Sequence, residues 1–280
     1  MFHNKNARIY IPDGTETEAA LRRTTALCFG AHQDDIEIMA YGPVAECYGR
    51  DDKWFTAVTV TDGAGSPRSG VYGKFTDEEM KTVRVEEQKN AAAVGRYAAL
   101  ALLAYPSAQA KDPGGTAVVE DIAALIERCS PGVVYTHNLA DKHDTHVAVA
   151  LKVIRAIRAL PAEKRPEKLI SLEVWRGLDW LCDEDKTVLD TSPHPNLAAA
   201  LLGVYDSQIA GGKRYDLAAL GRRTANATFF ASHAVDDCDS MTYGLDISEL
   251  MRDDAPAPEA FIKRYIDKFE KEVTERIARF

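Results

Sequence analysis

The feature that most constrains this chain is an apolar run that stops abruptly on charge. Thr24 to Ala31 (TTALCFGA) has the make-up of a buried strand. His32, Gln33, Asp34 and Asp35 follow it with no spacer, ahead of a helical pattern. Such an ending suits an open α/β sheet, where ligand chemistry sits at the carboxyl ends of strands. A histidine and two carboxylates in one turn make half of a metal site. HDTH, His143 to His146, is the candidate for the other half.

The rest of the pattern agrees with that architecture. A helix is expected over about Ile36 to Tyr48, interrupted by Gly42-Pro43. Trp54 to Thr61 reads as a second strand, and Asp62 to Gly70 as a loop at its carboxyl end. Asp77 to Gly95 reads as a helix, capped by Thr76 or Asp77 with Glu79 in capping-box position. Strands are expected at Ala98 to Ala104, in GVVYTH ending at His137, and at Lys168 to Trp175. Helices are expected at Ala117 to Arg128 and His143 to Leu160. Strands alternating with helices predict a mainly parallel sheet, a Rossmann-like three-layer α/β sandwich.

No boundary divides the chain, so one domain is expected over 1–280. Residues 1–23 read as a polar arm or a first helix. The pattern loosens after Trp175. An excursion over about 179–251 carries helical stretches at Leu197 to Ser207 and Asp216 to Phe230, and a lid over the crevice is the expectation for it. The helical and loop region ends in a stripe of Ile262, Tyr265, Ile266, Phe269, Val273 and Ile277, suited to core packing or to a homo-oligomer interface.

Bulk properties exclude several classes. A net charge of −9 argues against nonspecific binding to nucleic acid. No uncharged apolar stretch approaches the ~20 residues of a membrane span, and the N-terminus lacks the apolar core of a secretory signal. Five scattered cysteines without CxxC spacing fit reduced thiols and a cytoplasmic setting, with Cys28 and Cys129 as small core residues. Gly63 and Gly65 form no GxGxxG after the first strand, which argues against a dinucleotide.

His32 and Asp35 are three apart, as are His143 and His146, so each pair shares one face of a helical turn. HxxD and HxxH can thus aim side chains into one crevice. Two histidines and a carboxylate suit zinc with a fourth position left for water; the same set suits iron(II). One carboxylate being enough for the metal, Asp34 is spare, in the usual place of a general base.

AHQDDIE resembles the AHPDDxE signature of the PIG-L/LmbE family of zinc-dependent N-deacetylases. The resemblance continues in order through Thr61, Gly63 and Gly65, the helix RVEEQKNAAAVG (Arg84 to Gly95), the segment VVYTHNLADKHDTH and, later, YDSQ (Tyr205 to Gln208). It implies His32, Asp35 and His146 as ligands of Zn2+, or of another divalent metal such as Fe2+. It implies Asp34 as general base, His143 as acid or electrostatic partner of the tetrahedral intermediate, and Arg84 near the acyl oxygen.

The chain departs from the family pattern at several places. Gln33 stands where proline is usual. Asp144 and Thr145 stand for proline and aspartate in HPDH, so His143 loses its carboxylate partner, with Asp141 as the candidate substitute. Pro106-Ser107 stands where a proline-aspartate loop is common. The implied activity is removal of an acetyl group from an N-acetylated amino sugar or its conjugate. The alternatives are an amidase acting on a thiol–sugar conjugate or other amide, and a noncatalytic sugar-binding protein with a structural metal. Outside the motifs, His137 and His233 are more simply structural and loop residues. Glu37 is open between a bond to the backbone and one to a metal ligand. Tyr72, Trp175 and Trp180 fit core packing better than sugar stacking.

Overall fold

The structure is a computed structural model and describes residues 2–280. Its strands are β1 (Arg8–Tyr10), β2 (Ala26–Gly30), β3 (Phe55–Thr61), β4 (Ala99–Tyr105), β5 (Val133–His137), β6 (Lys168–Leu172), β7 (Thr187–Asp190) and β8 (Met241–Asp246). They form one sheet in the order β1-β4-β3-β2-β5-β6-β8-β7. The central five pair in parallel, while β1, β8 and β7 join antiparallel.

The helices are α1 (Thr17–Arg22), α2 (Asp35–Met39), α3 (Tyr41–Cys47), α4 (Asp77–Val94), α5 (Ser107–Lys111), α6 (Ala117–Cys129), α7 (Asp144–Ala159), α8 (Pro195–Gly203), α9 (Asp206–Ile209), α10 (Tyr215–Phe229) and α11 (Pro258–Ile277). No helix among the described residues is long and apolar enough to cross a membrane.

The central strands are buried along nearly their whole length because both faces are covered. On β2, Leu27 and Phe29 enter a core with α1, α6, α7 and α11, while Ala26 and Cys28 enter the opposite core with α2, α3, α4 and α8. On β3, Val58 and Val60 face the first core and Phe55 and Ala57 the second. This period-2 division makes the expected three layers. Burying each large side chain contributes about 1.5–3 kcal/mol. Cys28 and Cys129 are buried, and all five cysteines are free thiols.

Several local expectations change. The helix after β2 breaks at Ala40 (φ −114°, ψ 26°) into α2 and α3. Pro43 therefore lies in the first turn of α3, where its missing N–H leaves no bond unmade. The N-terminal arm contains β1 as well as α1. The excursion after Trp175 does more than border the crevice, to which it brings Gln208 and Tyr215: it returns β7 and β8 to the sheet and packs α8 on the second core. Thr76 caps α4, with the reciprocal Glu79 bond of a capping box. On α11, Phe261 and Ile262 are buried, but Ile266, Phe269, Val273 and Ile277 are exposed, so most of that stripe lies outside the core.

Strand order positions the site. From β2 the chain moves to β3 and β4 on one side, then crosses to β5 and β6 on the other. The switch point lies between the carboxyl ends of β2 and β5. Those are the ends that lead into His32–Asp35 and His143–His146.

Candidate metal centre

Chain ends from β2 and β5 bring three imidazoles and a carboxylate together. His32 Nδ1 lies 3.2 Å from His146 Nε2 and 3.2 Å from Asp35 Oδ2. His146 Nε2 lies 3.3 Å from Asp35 Oδ1. A tetrahedral ion at ~2.0–2.1 Å from each donor holds its ligands about 3.3–3.4 Å apart, so the spacing fits a zinc-sized cation.

Protonation supports the fit. His146 Nδ1 is 3.2 Å from Asp141 Oδ2. A carboxylate only accepts, so that nitrogen carries the proton and Nε2 turns its lone pair inward. The inward atoms of His32, Asp35 and His146 are then mainly acceptors, and acceptors face one another stably only around a cation. With no cation, a proton takes that role. Burial would lower the His146 pKa, but the Asp35 charge and the Asp141 bond outweigh it and push it up to about 10. Burial likewise opposes ionisation of Asp35, but His146 and His32 hold its pKa well below the ordinary range.

His143 and His137 lie beside this group and also come within ligating distance of parts of it. His143 caps α7, and its Nδ1 accepts the Thr145 N–H (3.3 Å). Its proton is therefore on Nε2, which makes it a donor. Burial and the neighbouring His146 and His32 keep the ring neutral by lowering its pKa. Its ring stacks on His146 with centroids 4.5 Å apart. His137, at the end of β5, is fully buried, and its Nε2 accepts the Ala31 N–H (2.8 Å), so that lone pair is committed. Burial first, then His146, lowers its pKa to about 4. It braces the β2 turn through Ala31, and its Nε2 lies 3.3 Å from Asp35 Oδ2.

Asp141 does not take the place expected of it. Its Oδ1 accepts the backbone N–H of His143 (3.0 Å) and its Oδ2 serves the ring of His146. The carboxylate thus orients the inward-facing histidine and the turn, not the His143 ring. Asp141→Asn is expected to weaken divalent-metal affinity about 10–100-fold. Metal titration of the two proteins checks this, and equal affinities would remove Asp141 from that role.

Asp34 sits between Gln33 and the first residue of α2 in a left-handed conformation (φ 92°, ψ −29°). A non-glycine residue held there stores ~1–3 kcal/mol of strain unless neighbours over-determine it. Its N–H donates to Gln88 Oε1 (3.3 Å), and Arg84 Nη2 donates to its Oδ2 (2.8 Å) and to the Gln33 carbonyl. Oδ1 receives none of these bonds. Burial raises the Asp34 pKa most, with Asp35 adding to it; Arg84 opposes, and the value stands at about 7.

Arg84 is 1 % exposed, and its partners differ from the acyl oxygen that the resemblance implies. Besides Gln33 and Asp34, it donates to Glu87 Oε2 (2.7 Å) and Ser207 Oγ (3.3 Å). Ser207 N–H and Oγ–H in turn donate to Glu87 (2.6 and 2.8 Å). The YDSQ segment therefore locks the Arg84–Glu87 pair. Gly63 (φ +77°) closes over this clamp, since a Cβ there would lie 2.7 Å from Gln33 Oε1 and 3.0 Å from Arg84 Cβ. The Glu37 side chain is not hydrogen-bonded to His32, Asp35 or His146. It accepts from Tyr205 (2.6 Å), Tyr97 (2.8 Å) and Gln88 (2.9 Å), tying α2 to the same framework.

The histidines and Asp34 open into a cavity of about 300 Å³ that also reaches Ser66, Ser107, Lys111, Trp175, Gln208 and Tyr215. Trp175 packs against the second core, as expected, and also stands in the wall. Trp180 packs on the core and donates to Glu173, and Tyr72 donates to Asp206. His233 lies in an exposed loop. Glu87, Lys111 and Tyr215 were not singled out from sequence, and Ser107 entered only as a departure from the proline-aspartate loop; Glu87 left a signal as part of the RVEEQKNAAAVG helix.

The family model described as PIG-L: GlcNAc-PI de-N-acetylase matches residues 27–157. No curated protein matches the chain in sequence. The structure resembles the conserved protein TT1542 from Thermus thermophilus (17% identity, TM-score 0.63, covering 80% of this chain and 94% of that one). It also resembles GalB, the 4-carboxy-2-hydroxymuconate hydratase from Pseudomonas putida (18%, 0.61, 80% and 96%). A third is the N,N'-diacetylchitobiose deacetylase from Pyrococcus horikoshii (15%, 0.59, 79% and 83%). At these identities the likeness is one of fold, and that fold is shared by a deacetylase and a hydratase.

Proposed function

We propose, from the premise that residues 27–157 belong to the PIG-L family, that the protein is a metal-dependent hydrolase removing the acetyl group from an N-acetylated amino sugar or its conjugate. The observation that carries this reading is the convergence of His32, Asp35 and His146 at 3.2–3.3 Å with Asp34 left outside the donor set. His32, Asp35 and His146 would hold the metal, with zinc as the best fit to the donors. A divalent ion there supplies a Lewis acid and brings water ionisation near neutral pH.

The residues then divide the work. Asp34 takes a proton from the attacking water through the oxygen that Arg84 leaves free. His143 presents Nε2–H, as a neutral donor, to the oxygen that gains negative charge as the carbonyl becomes tetrahedral. Asp34 passes its proton to the amine as the C–N bond breaks, leaving acetate. Arg84 keeps the Asp34 carboxylate aimed and does not itself need to reach the substrate.

Acetate release from N-acetylglucosamine and its glycosides by metal-loaded protein tests the reading, with a thiol–sugar amide as a further substrate. Because fold alone does not choose the reaction, an unsaturated carboxylate belongs in the same panel. Hydration of it without any acetate release would replace the deacetylase reading. Tight metal binding with no turnover of any substrate would favour the noncatalytic one.

The pH profile follows from Asp34. As a base it works only when ionised, so kcat/KM falls as pH drops through its pKa. That value is about 7 with no cation beside it; a neighbouring divalent ion favours the carboxylate and moves the acid limb below 7. His143 needs no proton to donate Nε2–H and adds no alkaline limb. A rate that rises on acidification from pH 7 to 5 would contradict this assignment.

A further inference from the structure

We propose that the substrate carries an anionic group, a carboxylate or phosphate, at the end away from its amide, and that Lys142 and Lys213 beside the Trp175 ring receive it, with Lys111 of the same cavity wall. The amide end of this substrate rests on the deacetylase reading; the anionic end rests on the mouth of the cavity alone.

Trp175 follows β6 and is half-buried, and Tyr215 meets it edge-on with centroids 6.1 Å apart. Lys142 Nζ lies 5.2 Å and Lys213 Nζ 5.7 Å from the Trp175 ring centroid. Lys111, at the last turn of α5, lines the same cavity. These lysines come from three separate segments. Each is exposed, and among the described residues none has a carboxylate within 4.0 Å.

Lysines elsewhere, such as Lys53, Lys81 and Lys89, have such partners. Acids on the neighbouring segments are engaged: Asp112 accepts the Gly114 N–H, Asp206 the Tyr72 hydroxyl, and Asp216 pairs with Arg214. Asp144 stands on the first turn of α7.

Two unpaired ammonium groups beside a wall residue and a third on the wall itself run against a chain whose net charge is −9. Left alone they repel one another, and an anion at the ring edge relieves that repulsion. The cavity concentrates the field of such charges and steers an anionic ligand toward it. The histidines, Asp34 and Asp35 line the part of the cavity where the amide would react, so a substituent at the far end of the substrate lies toward Trp175 and Lys111. A flat sugar or aromatic face lies on Trp175, and its charged substituent reaches the ammonium groups beside the ring.

Glycosides without an amide test this without turnover. Phenyl β-glucoside and 4-carboxyphenyl β-glucoside differ by one carboxylate; glucose and glucose 6-phosphate make the phosphate arm. The charged member of at least one pair is expected to bind about tenfold tighter at low salt, the scale of two or three exposed ion pairs. The preference should shrink as salt rises. It should also fall to about twofold or less in Lys142→Ala/Lys213→Ala and weaken in Lys111→Ala. Unchanged thermal unfolding would show that these variants remain folded.

Equal affinity within both pairs overturns the proposal, as does a preference that survives all three substitutions. Acetate release from the N-acetyl counterparts is read separately. Its absence would count against the deacetylase reading and leave the anion site standing.

Discussion

Asp34→Ala is expected to lower kcat for acetate release by about 10²–10⁴-fold, the usual contribution of a positioned base. Metal content and KM should change little, because Asp34 lies outside the group formed by His32, Asp35 and His146. The variant keeps the turn, since the Gln33 carbonyl still accepts from Arg84 and the residue-34 N–H still donates to Gln88. A loss that appears in KM alone would assign Asp34 to binding. Equal activity in the two proteins would end the proposed mechanism.

Replacing Arg84 by leucine should produce the largest loss of stability. The side chain is sealed from water and holds two carboxylates, Asp34 at 2.8 Å and Glu87 at 2.7 Å. Removing it leaves both buried without a cation, and breaking a buried pair this way costs about 3–5 kcal/mol. Denaturant unfolding measures that loss. Activity should fall with it, because the Asp34 carboxylate loses the donor that aims it.

The same variant separates two roles for the guanidinium. A group that only met the acyl oxygen would show a large kcat effect with stability almost unchanged. The clamp predicts both effects together, with Arg84→Lys rescuing little. A single ammonium cannot span Gln33, Asp34, Glu87 and Ser207 as the planar fork does. Full stability of Arg84→Leu would refute the clamp.

The two halves of the candidate metal site were legible because their spacing is local. HxxD and HxxH each fix their own geometry within one turn, and the strand-like runs before them place both at carboxyl ends. The central strands were legible for a similar reason: TTALCFGA, WFTAVTVT and GVVYTH place apolar and β-branched residues on both faces, which suits a covered sheet. The short edges were not. RIY of β1 and TVLD of β7 are brief and partly exposed, so they carry little periodicity. MTYGLD of β8 is buried but follows a loose, acidic loop. All three depend on a partner strand to become strands at all.

The sequence alone determined what a contiguous stretch can encode: a layered α/β core, its helix starts, and two short motifs whose side chains share a face. Folding decided which distant groups meet. It gave Asp141 to His146, put a backbone N–H on His137, set Ser207 against Glu87 some 120 positions away, and gathered Lys142 and Lys213 around Trp175. Those pairings follow from strand order and loop paths, and no local spacing records them, because a hydrogen bond or an ion pair is chosen by distance in space and not by distance along the chain.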